Sequence, residues 1–151
     1  METNENHELD QYCGFKIAGE EFAIPVTKIQ EVIRKQLVTP IPLSPSEVNG
    51  LINLRGQIVT SLSLRRLFAK DEQNEGHMNI IVRGPEGLFS LVVDEVTDII
   101  NIEEDNLENS PQTISPNLKK FVDRIYKAED HLVVLLNVDA IVNLGEREEA
   151  A

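Results

Sequence analysis

The sequence predicts an all-β fold with a few short helices, arranged as two small barrels that share an apolar seam. Three observations carry this expectation. The apolar side chains are aliphatic rather than aromatic, they alternate with polar ones in paired short segments, and the whole arrangement occurs twice. Apolar residues make up 41% of the 151, yet there are only 5 Phe, 2 Tyr and no Trp. A core of Ile, Leu and Val suits strands, whose pleated surface accommodates branched side chains.

Residues 1–10 are polar and read as a disordered acidic tail, with Glu2, Glu5, Glu8 and Asp10. Phe15 and Ile17 then alternate with polar neighbours, Gly19-Glu20-Glu21 turns, and Phe22, Ile24 and Val26 resume the alternation, giving a first hairpin. Val26, Ile29, Val32 and Ile33 recur at helical spacing and predict a short helix after Pro25. Residues 39–45, Thr-Pro-Ile-Pro-Leu-Ser-Pro, lack three backbone donors and must form an extended surface loop.

A second hairpin is expected where Leu51 to Leu54 and Ile58 to Leu64 flank Arg55-Gly56-Gln57, followed by a short helix at Leu64, Leu67 and Phe68. After a polar break at 69–77, Asn79 to Arg83 and Leu88 to Val93 enclose Gly84-Pro85-Glu86-Gly87 as a third hairpin. Residues 103–117, with Pro111 and Pro116, read as a long loop of the kind that is more often functional than neutral. Phe121 to Tyr126 and Leu132 to Val138 form a fourth hairpin, and Asp139 is placed to cap a terminal helix ending at Leu144. Residues 146–151 form an acidic tail, leaving 11–145 as the folded domain.

The chain repeats itself. Phe22 to Ile33 aligns without a gap on Phe89 to Ile100, and Ile58 to Phe68 aligns on Leu132 to Val142. The approximate repeats are 15–68 and 81–142. Each is too short for a stable core of its own, so the two must be fused along a common apolar seam.

Composition removes several classes of function. A net charge of −12 repels phosphate backbones and anionic lipid, so neither nucleic acid nor a membrane is expected as a partner. The longest apolar run, Leu132 to Leu136, is far short of the roughly 20 residues that span a bilayer. A single cysteine, Cys13, and no basic-then-apolar leader fit the cytoplasm. His7, His77 and His131 have no second ligand at metal-binding spacing, and no phosphate-cradling glycine loop or nucleophile elbow occurs. The expectation is a non-enzyme with no metal and no cofactor.

The informative string is Val48-Asn49-Gly50-Leu51-Ile52-Asn53-Leu54-Arg55-Gly56. Together with Val26-Thr27-Lys28-Ile29-Gln30-Glu31-Val32, Thr39-Pro40-Ile41-Pro42 and Val92-Val93-Asp94-Glu95-Val96, it resembles the CheW family of chemotaxis coupling proteins over about residues 12–144. The resemblance implies two SH3-like five-stranded barrels and no catalysis. It implies two partners, the regulatory domain of a chemotaxis histidine kinase and the cytoplasmic tip of a chemoreceptor. The alternative expectation is the same adaptor module in a chemosensory pathway controlling pili, surface motility or gene expression rather than flagella.

Carried over residue by residue, Ile29, Glu31, Gly50 and Arg55 match family positions that make or support these contacts. The receptor site is expected at the seam, lined by Ile29, Val32, Val96 and Ile99, with Glu31 and Arg55 meeting beside it. Kinase contact is expected at Val38, Ile41 and Leu43 on the stiff proline loop, and at Gly50. Three departures stand out. Thr60-Ser61-Leu62-Ser63-Leu64 lacks the family's proline and acid, Asp123 replaces a common glycine, and the loop from Leu107 to Thr113 lacks an aromatic that some relatives use for a second kinase contact.

Overall fold

The structure is a computed structural model that describes residues 10–68, 77–85, 87–109, 114 and 116–143. The acidic tails, Asp10 apart, lie outside the described residues, as do Glu86, Thr113 and most of the polar break. Eleven strands are described: β1 Gln11–Ile17, β2 Glu20–Pro25, β3 Ile29–Arg34, β4 Val48–Leu54, β5 Gln57–Ser63, β6 Met78–Gly84, β7 Gly87–Val93, β8 Glu95–Asn101, β9 Leu107–Glu108, β10 Val122–Lys127 and β11 Leu132–Leu136. Short helices follow at α1 Leu64–Leu67, α2 Pro116–Lys119 and α3, residues 138–143. The all-β expectation holds.

The strands form a five-stranded sheet, β3-β6-β7-β5-β4, and a six-stranded sheet, β8-β1-β2-β11-β10-β9. The five-stranded sheet closes on itself. Beyond β3 the chain reaches the opposite edge, where Thr39 and Leu51 exchange two backbone hydrogen bonds of 2.8 Å. In the six-stranded sheet, β9 takes the corresponding place against β10.

The two sheets carry the same register. Phe22 pairs in parallel with Val134, and Phe89 pairs in parallel with Thr60, residues that correspond to one another between the repeats. Ile29 faces Val82 as Val96 faces Phe15, and Val32 faces Ile80 as Ile99 faces Cys13. Each repeat therefore gives its first hairpin to the sheet that holds the second hairpin of the other. The chain changes sheets at the turn Val26–Lys28 and again at Asp94.

This exchange explains the core. One large cluster draws Phe15, Phe22 and Ile24 from the six-stranded sheet and Leu62, Ile80, Phe89 and Leu91 from the five-stranded one, so it is the shared seam. Phe22 lies between Phe15 and Phe68, with ring centroids 6.1 and 5.3 Å apart. Two small clusters fill the barrel interiors, Ile52, Leu54, Val59 and Ile81 in one, Ala23, Tyr126, Val133 and Leu135 in the other.

Several expectations need correction. The helix expected over Val26 to Ile33 is a single 3₁₀ turn followed by β3, and its counterpart in the second repeat is β8. The helical spacing has another origin. A bulge lets Ile29 oppose Val82 and Glu31 oppose Ile81, with Gln30 as the extra residue. A bulge puts residues three apart on one face, as a helix does, and β-branched side chains favour the strand. The first turn sits at Ala18-Gly19, since Ile17 pairs with Glu20. The loop at 103–117 contains β9 and the start of α2. The last helix is capped by Asn137, whose Oδ1 accepts from the Ala140 N–H at 3.1 Å, while Asp139 pairs with Lys28 at 3.1 Å.

Candidate functional site

Arg55 is the first residue of a two-residue turn joining β4 to β5, with φ of 51° followed by 89° at Gly56. Both signs are those of a type I′ turn, which matches the twist of the flanking strands. The Gly56 N–H donates to Asn53 Oδ1 at 2.8 Å. A non-glycine residue here is held in a costly backbone conformation. Its guanidinium forks onto the Glu31 carboxylate, Nη1 donating to Oε1 at 3.2 Å and Nη2 to Oε2.

Glu31 reaches the fork because the bulge turns it to the barrel side of β3, beside Ile33. The hydrogen bond from Arg55 holds the Glu31 carboxyl below its ordinary range and raises Arg55 in return. The Arg55 side chain is 66% exposed and Glu31 26%. Water screens such a pair, so it adds little to stability.

The same bulge sets Ile29 and Val32 on the opposite, seam-side face of β3. Its counterpart in β8 does this for Val96 and Ile99. Ile29 and Val96 are half-buried and pack against the shared core. Val32 and Ile99 stand out, 38% and 53% exposed. The structure thus gives each sheet an edge strand whose seam-side face runs from core to solvent.

The kinase candidates divide. Val38 packs into the small cluster of the five-stranded barrel, and Ile41 packs against the shared core. Leu43 is fully exposed. It follows Pro42 in a turn where the Ser44 N–H and Oγ both donate to the Ile41 carbonyl, at 3.3 and 2.8 Å. Its φ of 64° belongs to a position that glycine or asparagine usually fills. Gly50 has φ of 143°, and a Cβ there would meet the Thr39 carbonyl at 2.4 Å. Gly50 acts by letting the Val38–Thr39 strap lie on β4.

Sequence reasoning missed other features. Leu37, Ile58 and Leu132 are exposed, and the last two align with one another in the repeats. Asp94, at the second change of sheet, accepts from Arg65 Nε at 2.9 Å, from Arg65 Nη2 at 2.7 Å and from the Ala18 N–H at 2.7 Å. Burial alone would raise the Asp94 carboxyl, but these donors outweigh it and hold it below its ordinary range. At the other change of sheet the ion pair Lys28–Asp139 is exposed and reversed in sign. Across the six-stranded sheet, Thr97 donates to Glu21 at 3.0 Å, and Glu21 meets His131 Nε2 at 2.7 Å. Gly14 lies beneath, where a Cβ would meet Thr97 Oγ1 at 2.4 Å.

Among the described residues no group of three or more His, Cys, Asp or Glu is arranged to hold a metal, and no helix is long and apolar enough to cross a membrane. The geometry comprises an apolar seam edge, an arginine fork held by Glu31 and an exposed proline turn. The sequence profile of the CheW-like domain matches residues 11–146, and the chain belongs to that family. The chemotaxis protein CheW of Helicobacter pylori is 33% identical over 140 residues, 91% of this chain and 84% of the relative. Protein FrzA of Myxococcus xanthus is 30% identical over 97 residues, 63% of this chain and 60% of the relative. The crystal structure of the scaffolding protein TtCheW from Thermoanaerobacter tengcongensis superposes with a TM-score of 0.81 at 26% identity, covering 92% of this chain and 96% of that one.

Proposed function

We propose that this chain is a cytoplasmic, non-catalytic adaptor that couples chemoreceptors to a chemotaxis histidine kinase. The observation that carries the reading is the pair of edge strands whose bulges present Ile29 with Val32 and Val96 with Ile99 at the seam. An amphipathic helix lays its apolar face into such a groove, and a receptor tip is helical. The Arg55 fork, held by Glu31, orients donors at one end of the five-stranded barrel for a polar group of the partner. The kinase regulatory domain docks on the proline turn, where Leu43 is exposed on a backbone that proline has already stiffened.

The likeness to FrzA supports a second pathway for the same chemistry, a chemosensory system controlling pili, surface motility or gene expression. The test separates the two surfaces. Ile99→Asp changes an exposed position, so the fold is kept while receptor capture is lost and kinase capture is retained. Leu43→Asp has the opposite effect. A folded Ile99→Asp protein that captures receptor as the parent does would sink the groove assignment.

A further inference from the structure

Three buried polar side chains in the five-stranded barrel have no hydrogen-bond partner among the described residues: Ser61 Oγ, Ser90 Oγ and Asn79 Nδ2. Strand register brings them together. Ser61 and Ser90 lie directly opposite one another in the parallel pairing of β5 with β7. Asn79 lies on β6, two residues from Ile81, which is directly opposite Ser90. All three face the barrel interior. Ser61 shares its strand face with Val59, Ser90 with Leu88 and Asn79 with Ile81, all members of the small interior cluster or packed against it.

Side chains directly opposite in a sheet stand about 5 Å apart, and diagonal ones about 7 Å. A water molecule bridges such spans. The second barrel serves as a control, because the residues aligned with Ser61, Ser90 and Asn79 are Leu135, Ala23 and Tyr12. Those three belong to, or pack against, an apolar interior. The fold itself therefore does not require polar groups at these positions. An unpaired buried hydroxyl or amide is destabilising, and neighbouring ones on the same interior face of three adjacent strands make a partner set that internal water takes up.

We propose that the five-stranded barrel holds ordered internal water, bound by Ser61, Ser90 and Asn79, while the equivalent interior of the other barrel is dry. An interior filled in part by water lacks the full interlocking of side chains. This is also the barrel that carries the Arg55 fork and the Leu43 turn.

The test uses the full chain. Water-to-protein cross-relaxation is measured by NMR at Ser61, Ser90 and Asn79, alongside thermal unfolding of Ser61→Ala, Ser90→Ala and the double variant. The expected result is a water signal at these residues. Each single change should lower the thermal midpoint, and the double should cost less than the two together, since both remove one bridge. A rise in midpoint on Ser90→Ala would mean an unpaired hydroxyl and would overturn the proposal. Additive losses without a water signal would overturn it too, because they mark hydroxyls bound to backbone carbonyls.

Discussion

Arg65 grips Asp94 with two donors, at 2.9 and 2.7 Å, at the residue where the chain passes from the five-stranded to the six-stranded sheet. Both side chains are mostly buried, and the same carboxylate accepts the Ala18 N–H from the first hairpin turn. One side chain thus ties a helix, a turn and a crossover.

Removing Arg65 leaves the mostly buried Asp94 carboxylate with the Ala18 N–H but without its counter-charge. Arg65→Ala should cost about 2–3 kcal/mol, measured by chemical denaturation. The pH dependence has a definite sign. The Asp94 carboxyl is held below its ordinary value in the fold, so its contribution is complete above that value, about pH 4, and fades as pH falls through the lower folded value. The stability gap between the parent and Asp94→Asn should therefore narrow in acid. A gap unchanged from pH 7 down to about pH 3 would contradict this account.

Arg55 and Ala18 occupy the same position in two type I′ turns, with φ of 51° and 53°. Asparagine tolerates this conformation better than either. Ala18→Asn should raise the thermal midpoint by a few degrees, on the order of 4 °C per kcal/mol for a domain of this size. Arg55→Asn should also raise it, while Arg55→Ala leaves it nearly unchanged, and both Arg55 variants should weaken receptor capture. Unfolding curves and pull-downs run together separate the turn effect from the fork effect. Exchanging the charges, Glu31→Arg with Arg55→Glu, should restore the pair but only part of the coupling, because the donors then project from position 31 and a carboxylate that can only accept stands at 55.

His131 has Asp130 at Nδ1 and Glu21 at Nε2, each 2.7 Å away. The hydrogen bond to Asp130 raises its pKa, burial opposes the rise, and Glu21 adds to it. A raised folded value stabilises fully below the unfolded value, about 6.5, and is lost as pH rises through the folded value. His131 is 48% exposed and Asp130 88%, so water screens the pair and the effect is small, about a degree or two in midpoint. Comparing midpoints at about pH 6 and pH 8.5, a His131→Gln variant should show a smaller fall than the parent.

Gly50→Ala should damage the five-stranded barrel. A methyl group would meet the Thr39 carbonyl at 2.4 Å and Val38 Cγ1 at 2.6 Å, on a backbone with φ of 143°. The strap must move, at a cost of about 2–4 kcal/mol. Hydrogen exchange should register it first at the Thr39 and Leu51 amides, which bond across that contact. Retained protection at both would show that the strap tolerates the methyl group.

Much of this fold was legible because hairpins advertise themselves locally. Phe15 and Ile17, then Phe22 and Ile24, alternate on either side of a turn, and all four are buried. The strand β3 reads as a helix because its bulge imitates helical spacing, although the β-branched Val26, Ile29, Val32 and Ile33 are a local signal that favours a strand. The strand β9 is two residues long within a polar stretch and leaves no periodic trace. The meeting of Glu31 with Arg55 was foreseen through family resemblance, yet the route differs, since Glu31 is turned by a bulged strand rather than by a helix. The Arg65–Asp94 pair joins residues far apart in sequence, and neither side chain interrupts an apolar pattern.

The reciprocal exchange of hairpins also sets a timetable for synthesis. The five-stranded sheet draws only on residues 29–93, so all its strands have left the ribosome by the time Val93 emerges. The hairpin of β1 and β2 is made first but finds its partners β8 and β11 only when Asn101 and then Leu136 have been added. Until then Phe15, Ile17, Phe22 and Ile24 can shelter only against the seam face of the finished sheet. The first hairpin of this domain to be made is therefore the last to be enclosed, and contacts between such distant segments are the slow ones to form.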